Sequence, residues 1–159
     1  LEFGTSTGRQ RMIGWFDAVE KGNALRYCGF NELVINKLDA LTMENGELSD
    51  LKICVAYRTK DGEVIRNVPR QESKRKSLLP IYESFPGSTE NLSDIKSFND
   101  LPRKAKNYVA RMVSSVIEAA YTEGYKTIKL PKVRFLGIGP NPGQIISDIP
   151  TTIDLIKGF

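Results

Sequence analysis

Phe30-Asn31-Glu32-Leu33-Val34-Ile35-Asn36-Lys37-Leu38-Asp39 decides the architecture of this 159-residue chain. The run dominated by Phe30, Leu33, Val34 and Ile35 predicts a strand buried on both faces, and so a parallel sheet flanked by helices. It ends in Asn36-Lys37-Leu38-Asp39, and the C-terminal ends of parallel strands are where open α/β sheets hold ligands. A carboxylate at that point can accept from both the ring N–H and the exocyclic amine of guanine, a donor pair that adenine does not present. A lysine two residues earlier can lay its methylene stem over the purine ring. The same residues also fit a plainer role, as a capping Asp and a solvated Lys in a strand-to-helix turn.

Upstream lies a second constellation, Thr5-Ser6-Thr7-Gly8-Arg9-Gln10-Arg11, followed by Gly14-Trp15-Phe16-Asp17. Three hydroxyls supply donors, Gly8 permits positive φ or close approach of a ligand, and Arg9 and Arg11 carry rigid forks suited to carboxylates and phosphates. In extended backbone the two arginines share a face with Gln10 opposite. A solvated polar loop is the competing reading.

The spacing predicts a helix over 15–27, with Asp17 near its start, Gly29 as its stop, and Trp15, Phe16, Val19 and Leu25 buried. Gly22 weakens that helix by roughly 1 kcal/mol relative to Ala. After a polar connection over 41–50, residues 51–57 predict a strand, Lys60-Asp61-Gly62-Glu63 a hairpin turn, and 64–68 the returning strand, ended by Pro69. Residues 70–76 form the most basic stretch and read as a solvated face, since no aromatic residues interleave to stack on bases. Residues 78–93 contain Pro80, Pro86 and Gly87 and read as loop.

The clearest helix spans 100–121, with Asp100 as cap and Pro102 in the first turn. Ala105, Tyr108, Val109, Met112, Val113, Val116, Ile117 and Ala120 recur at helical spacing as its buried face. Residues 126–130 are a short amphipathic segment. Residues 133–138 predict the last buried strand, broken by Gly139-Pro140-Asn141-Pro142-Gly143, and the tail over 145–159 reads as a final strand or short helix.

The chain is 40% apolar and 26% charged, a globular balance, with 23 Lys and Arg against 19 Asp and Glu giving a net charge of +4. That excess favours anionic ligands without amounting to a nucleic-acid footprint. There is no His, so the usual general acid or base and the commonest metal ligand are missing. Cys28 and Cys54 read as reduced and buried, and no zinc pattern is present. No apolar run approaches the ~18 residues of a membrane span, and the first residues do not form a secretory signal. The expected compartment is the cytoplasm.

Residues 2–11 with Gly14-Trp15-Phe16-Asp17 resemble the substrate loop of adenylosuccinate synthetases, the GTP-dependent ligases joining IMP to L-aspartate. Lys37-Leu38-Asp39 matches the Lys-Leu-Asp of that family at the same distance from the loop, and it also resembles the Asn-Lys-x-Asp by which GTPases read guanine. Cys54-Val55-Ala56-Tyr57 with the Asp61-Gly62 turn, and Tyr82-Glu83 with Pro86-Gly87, match family segments as well. The resemblance covers only the C-terminal part of such an enzyme.

It implies that Thr5, Ser6, Thr7, Gly8, Arg9, Gln10 and Arg11 close over aspartate, Arg9 also reaching IMP and Arg11 reaching GTP. It implies that Lys37, Leu38 and Asp39 contact the GTP base, together with Gly137, Ile138 and Gly139, although Gly137 stands where the family usually has Ser. It further implies Mg²⁺ and a homodimer. The fold expected is α/β, a mixed and largely parallel sheet with flanking helices and an antiparallel hairpin, as one C-terminal portion of a larger P-loop-like ligase fold. Within it the substrate loop takes 1–17, the guanine and sheet region 18–69, the loop and helical region 70–132, and the last strand, base turn and tail 133–159.

The resemblance implies phosphoryl-transfer groups on a Gly-rich N-terminal loop with an Asp and on a separate His; no Gly-x-x-x-x-Gly-Lys pattern and no His occur, so these groups, the catalytic residues and the Mg²⁺ ligands are expected upstream of Leu1, and the chain alone is expected to be inactive. The alternative is a noncatalytic nucleotide- or RNA-binding α/β module using Arg9, Arg11 and the basic run.

Overall fold

The computed structural model describes residues 3–41, 50–88, 90–122, 124 and 129–158. Asp17 ends one element and begins the next. It closes β1 (Phe16–Asp17), and its carboxylate Oδ1 accepts from the Glu20 N–H at 3.0 Å, capping α1 (Ala18–Cys28). At the other end Gly29, with φ 64°, donates its N–H to Leu25 O at 2.9 Å, and the helix stops. The helix expected over 15–27 thus runs over 18–28: Asp17 and Gly29 cap and stop it as the sequence marks, but Trp15 and Phe16, expected on its buried face, precede it, Trp15 exposed and Phe16 half-buried in β1, and Tyr27 is exposed.

Next come β2 (Glu32–Ile35), a 3-10 turn (Leu38–Leu41), β3 (Leu51–Arg58), β4 (Val64–Ile65), a four-residue helix α2 (Glu72–Arg75) and β5 (Leu79–Phe85). A 3-10 turn (Phe98–Asp100), α3 (Arg103–Ala120), β6 (Lys132–Gly137), β7 (Ile145–Ile146) and α4 (Thr152–Lys157) complete the chain. The tail therefore supplies both a strand and a helix.

The strands form two mixed sheets. β3 pairs in parallel with β1 (Phe16 opposite Ile53) and antiparallel with β4 and β5. β6 pairs in parallel with β2, in register Ile35 to Leu136, and antiparallel with β7. α3 buries the face its periodicity prescribes and packs on α1, α4 and β3, in a core that includes Leu25, Ile53, Phe98, Val109, Ile117 and Leu136. Its contact with α1 is close because Gly22 has no side chain: a Cβ there would stand 2.6 Å from Ala119 Cβ and 2.9 Å from Ala120 N. One turn further on, Arg26 donates to Ala119 O and Ala120 O at 2.5 and 2.8 Å, covering the terminal carbonyls of α3.

Several elements differ from the sequence expectation. β2 is half-exposed rather than buried on both faces: Leu33 and Ile35 are partly covered, whereas Glu32 and Val34 lie on a face that the described residues leave open, with Phe30 50% and Val34 54% exposed. An open apolar groove of about 230 Å³ lies beside it, lined by Phe16, Leu25, Phe30, Leu33, Val34 and Met112. Residues 79–85, expected as loop, form β5, the long antiparallel partner of β3. Pro80 and Pro86 bracket this strand rather than break it, since proline is tolerated at strand ends, and Ile81, Glu83 and Phe85 alternate toward the protein.

The strand after the Asp61-Gly62 turn shortens to two residues. Asp100 belongs to the 3-10 turn, which Ser97 caps, and Pro102 occupies the N-cap of α3. Cys54 is buried, whereas Cys28, in the last position of α1, is exposed. Most of the 41–50 connection and of the 126–130 segment lies outside the described residues.

Candidate functional site

The Thr5–Arg11 loop folds on itself. Phe3 and Gln10 form an antiparallel bridge, the Gly4 N–H donates to Arg9 O, and the Gly8 N–H donates to Gly4 O, both at 2.8 Å. Gly8 takes φ 63°, the left-handed conformation that its lack of a side chain makes cheap. The Arg9 N–H reaches Thr7 Oγ1 at 3.4 Å. Every residue from Thr5 to Arg11 is exposed, so this is a preformed polar turn with its hydroxyls and guanidiniums at the surface.

A second anchor fixes the base of that loop. Tyr57, on β3, donates its hydroxyl to Asp17 Oδ2, so one carboxylate caps α1 and receives a strand side chain. Burial first, and then this hydrogen bond, raise the Tyr57 pKa well above the usual phenol range. Burial pushes the neighbouring Cys54 thiol up to about 11, with the Asp17 charge adding to the effect.

The remaining expected site residues gather at the C-terminal ends of the parallel pair β2 and β6. Lys37 has φ 63°, the one positive φ of a non-glycine residue among those described, and it turns the chain sharply out of β2. Leu38 then buries its side chain in the core at 2% exposure, as Ile138 does at 0% across the turn. These two anchor the backbone, so a ligand at this edge would meet their main chain and not their side chains. Asp39 remains half-buried at the start of the 3-10 turn.

Opposite, Gly137 closes β6, and a Cβ on it would stand 3.0 Å from Asn36 Oδ1. Gly139 lies against the Gln144 carboxamide, where a Cβ would collide. Gln144 holds the turn by accepting from the Asn141 N–H at 2.9 Å and donating to Ser93 O at 3.3 Å. The Ile138 N–H donates to Gln144 O at 3.0 Å.

The structure thus brings Lys37, Leu38 and Asp39 together with Gly137, Ile138 and Gly139 on one sheet, while the Thr5–Arg11 loop leads into the other. Asn36, Gln144 and Tyr57 were not singled out from sequence. Asn36 stood in the quoted tetrapeptide, as the first position of its likeness to Asn-Lys-x-Asp, but was not among the expected site residues.

The basic run around α2 is exposed. Its Lys76 pairs with Glu72 at 2.8 Å, and Asp61 and Glu63 line the same cleft as Lys60 and Lys74, so the surface is of mixed charge. Among the described residues no cluster of three acidic or cysteine groups is placed to hold a metal ion, and no helix is long and apolar enough to cross a membrane.

Comparison with known proteins adds the lineage. A sequence model of the family described as Adenylosuccinate synthetase matches residues 1–122. Adenylosuccinate synthetase of Kocuria rhizophila is 44% identical over 108 residues, which are 68% of this chain and 24% of that protein. The Bacillus cereus enzyme is 43% identical over 111 residues, 70% of this chain and 25% of that one. The fully ligated adenylosuccinate synthetase from Plasmodium falciparum superposes with a TM-score of 0.73 at 27% identity, over 92% of this chain and 31% of that chain. That share is too large to be confined to residues 1–122, so the structural likeness extends into the β6 and β7 region. The chain spans about a quarter of the length of the curated relatives it matches. It is a member of the adenylosuccinate synthetase family.

Proposed function

We propose that this chain supplies the aspartate and IMP loop and the guanine pocket of a GTP-dependent carbon–nitrogen ligase that forms adenylosuccinate in purine nucleotide synthesis. The observation that carries this reading is the meeting of Lys37 to Asp39 with Gly137 to Gly139 at the C-terminal ends of two neighbouring parallel strands, in a chain of this family. Asp39 would accept from the N1–H and the 2-amino group of guanine, Lys37 would cover the ring with its stem, and the main chain at Gly137 to Gly139 would border the flat base.

The exposed hydroxyls and main-chain groups of Thr5, Ser6, Thr7, Gly8 and Gln10 would enclose L-aspartate, with Arg9 reaching IMP and Arg11 reaching GTP. Forked guanidiniums suit these carboxylate and phosphate groups. Mg²⁺ would neutralise the GTP phosphates, its ligands lying elsewhere in the assembled enzyme. A homodimer and a cytoplasmic location belong to the same reading. The chain by itself would not turn over.

The test is a chimera in which the matching residues of this chain replace those of the Bacillus cereus relative. Adenylosuccinate formation that falls at least a hundredfold in Arg9→Ala supports the reading. A folded chimera that binds GTP and IMP yet is indifferent to Arg9 and Arg11 overturns it.

A further inference from the structure

We propose that Tyr57 is a positioning residue for the Thr5–Arg11 loop, acting through Asp17 to hold the strand β1 from which that loop is carried. This rests on the aspartate and IMP reading of the loop and goes beyond it, since Tyr57 belongs to the sheet and not to the loop.

The Phe3 and Gln10 bridge and the two bonds at Gly4 close the loop into one unit, so a movement at its base is carried to Arg9 and Arg11 together. Downstream it is joined to the sheet by an uncovered arm, Met12, Ile13, Gly14 and Trp15, all exposed. Phe16 and Asp17 are the first residues after the loop that the protein partly covers. They are the whole of β1, paired with β3 opposite Ile53 and Cys54. So short a pairing has few main-chain bonds to fix its register. The Asp17 carboxylate adds the constraint: Oδ1 caps α1 and Oδ2 receives the Tyr57 hydroxyl, so the residue is held from two directions.

A local irregularity of β3 aims Tyr57 at that carboxylate. Cys54 and Tyr57 are three residues apart, and in a regular strand they would point to opposite faces. Against β5, however, β3 steps from Cys54 to Ala56 while its partner moves only from Tyr82 to Ile81, which leaves Val55 as an extra residue. A bulge of this kind re-aims the side chains beyond it and is frequent beside active sites. Tyr57 and Cys54 both come to lie beside Asp17, and burial first and Asp17 next raise the pKa of each. Without the Tyr57 bond, the binding energy of the ligand itself must hold the loop in place, which weakens affinity more than it slows the bound complex.

The experiment is steady-state kinetics of the Bacillus cereus chimera described above, carrying Tyr57→Phe, Asp17→Ser or both. Phe keeps the ring and removes the bond, whereas Ser keeps a helix cap and is too short to reach Tyr57. Each single variant raises the aspartate KM about tenfold with kcat within about twofold of the parent, and the double variant is no worse than either. Glu83→Gln, which loosens the fold away from the loop, leaves the aspartate KM unchanged and so separates positioning from stability. In the 159-residue chain the single tryptophan, Trp15, lies between loop and anchor, and its fluorescence anisotropy falls in Tyr57→Phe but not in Glu83→Gln.

A Tyr57→Phe chimera with the aspartate KM of its parent, while Arg9→Ala is deficient, overturns the role of Tyr57 and leaves the loop reading standing. A loss of kcat alone that follows a lowered melting temperature, or an unchanged Trp15 anisotropy, does the same. Indifference to Arg9→Ala overturns the loop reading and this inference with it.

Discussion

Tyr57 donates its hydroxyl to the same Asp17 carboxylate that caps α1, so a single acidic side chain joins the middle strand of one sheet to the helix that packs on α3. The Tyr57 and Cys54 pKa values are both raised in the fold, which makes the alkaline limb of stability the sensitive one. Their contribution is complete below the unfolded values, about 9 for the thiol and 10 for the phenol, and is lost as pH rises above them. The melting temperature is expected to fall between pH 9 and 11 by thermal denaturation, more steeply in wild type than in Tyr57→Phe. An alkaline limb unchanged by that substitution would argue against the Tyr57 contribution.

On the acid side the relevant pair is Glu83 and Arg111, joined by two hydrogen bonds of 2.6 Å between β5 and α3, with Arg111 also bonded to Glu118 at 2.9 Å. The guanidinium holds the Glu83 carboxyl below its usual value, so this stabilisation is present above about pH 4.5 and is lost as pH falls further. Both side chains are partly exposed, which limits the contribution to about 1 kcal/mol. Glu83→Gln should lower stability by that amount at pH 7 and flatten the acid limb in urea titrations.

Helix propensity alone would make Gly22→Ala stabilising, yet the approach of Gly22 to Ala119 and Ala120 reverses the sign. The added methyl meets short side chain and backbone, neither of which can swing away. Overpacking of this kind costs about 2 kcal/mol, and chemical denaturation should show a loss of that order. Equal or higher stability would mean that α1 and α3 are less closely packed than described.

Lys37 holds a left-handed backbone without being glycine, which costs about 1 kcal/mol. Lys37→Gly is therefore expected to stabilise the fold by about that much while weakening GDP binding. Gains in both, measured by denaturation and titration, would remove Lys37 from the proposed site.

The half-exposed edge of β2 presents Val34 beside an apolar groove. A charge on that face should suppress edge pairing. Sedimentation at rising concentration should show Val34→Lys remaining at lower mass than wild type.

How much the sequence disclosed depended on how local the cause was. The limits of α1 were legible because Asp17 and Gly29 act on their own helix, and the buried face of α3 because its period is written along one segment. β5 was not, since two prolines suggest a loop until β3 is seen beside them, and the Ile81, Glu83, Phe85 alternation carries a charge that only Arg111, on another element, makes tolerable. The exposure of β2 was missed for the converse reason: its apolar composition suits a covered strand, and the described residues cover only one side. At the candidate site the motif residues stood in the sequence, but Leu38 and Ile138 read alike with Asp39 and Gly139 until their side chains were found in the core. The Asn36 and Gly137 contact joins positions about a hundred residues apart and has no local signal.

Whether the ends of β2 and β6 form the proposed guanine pocket, read by Asp39, is decided by NMR titration of this chain with GDP, ADP and XDP, in wild type and Asp39→Asn. A guanine pocket gives shifts at residues 36–39 and 137–139 with GDP preferred in wild type, and a preference moved to XDP in the variant, where an amide replaces the carboxylate. Well-dispersed spectra with the same response to all three diphosphates, unaltered in Asp39→Asn, would contradict it.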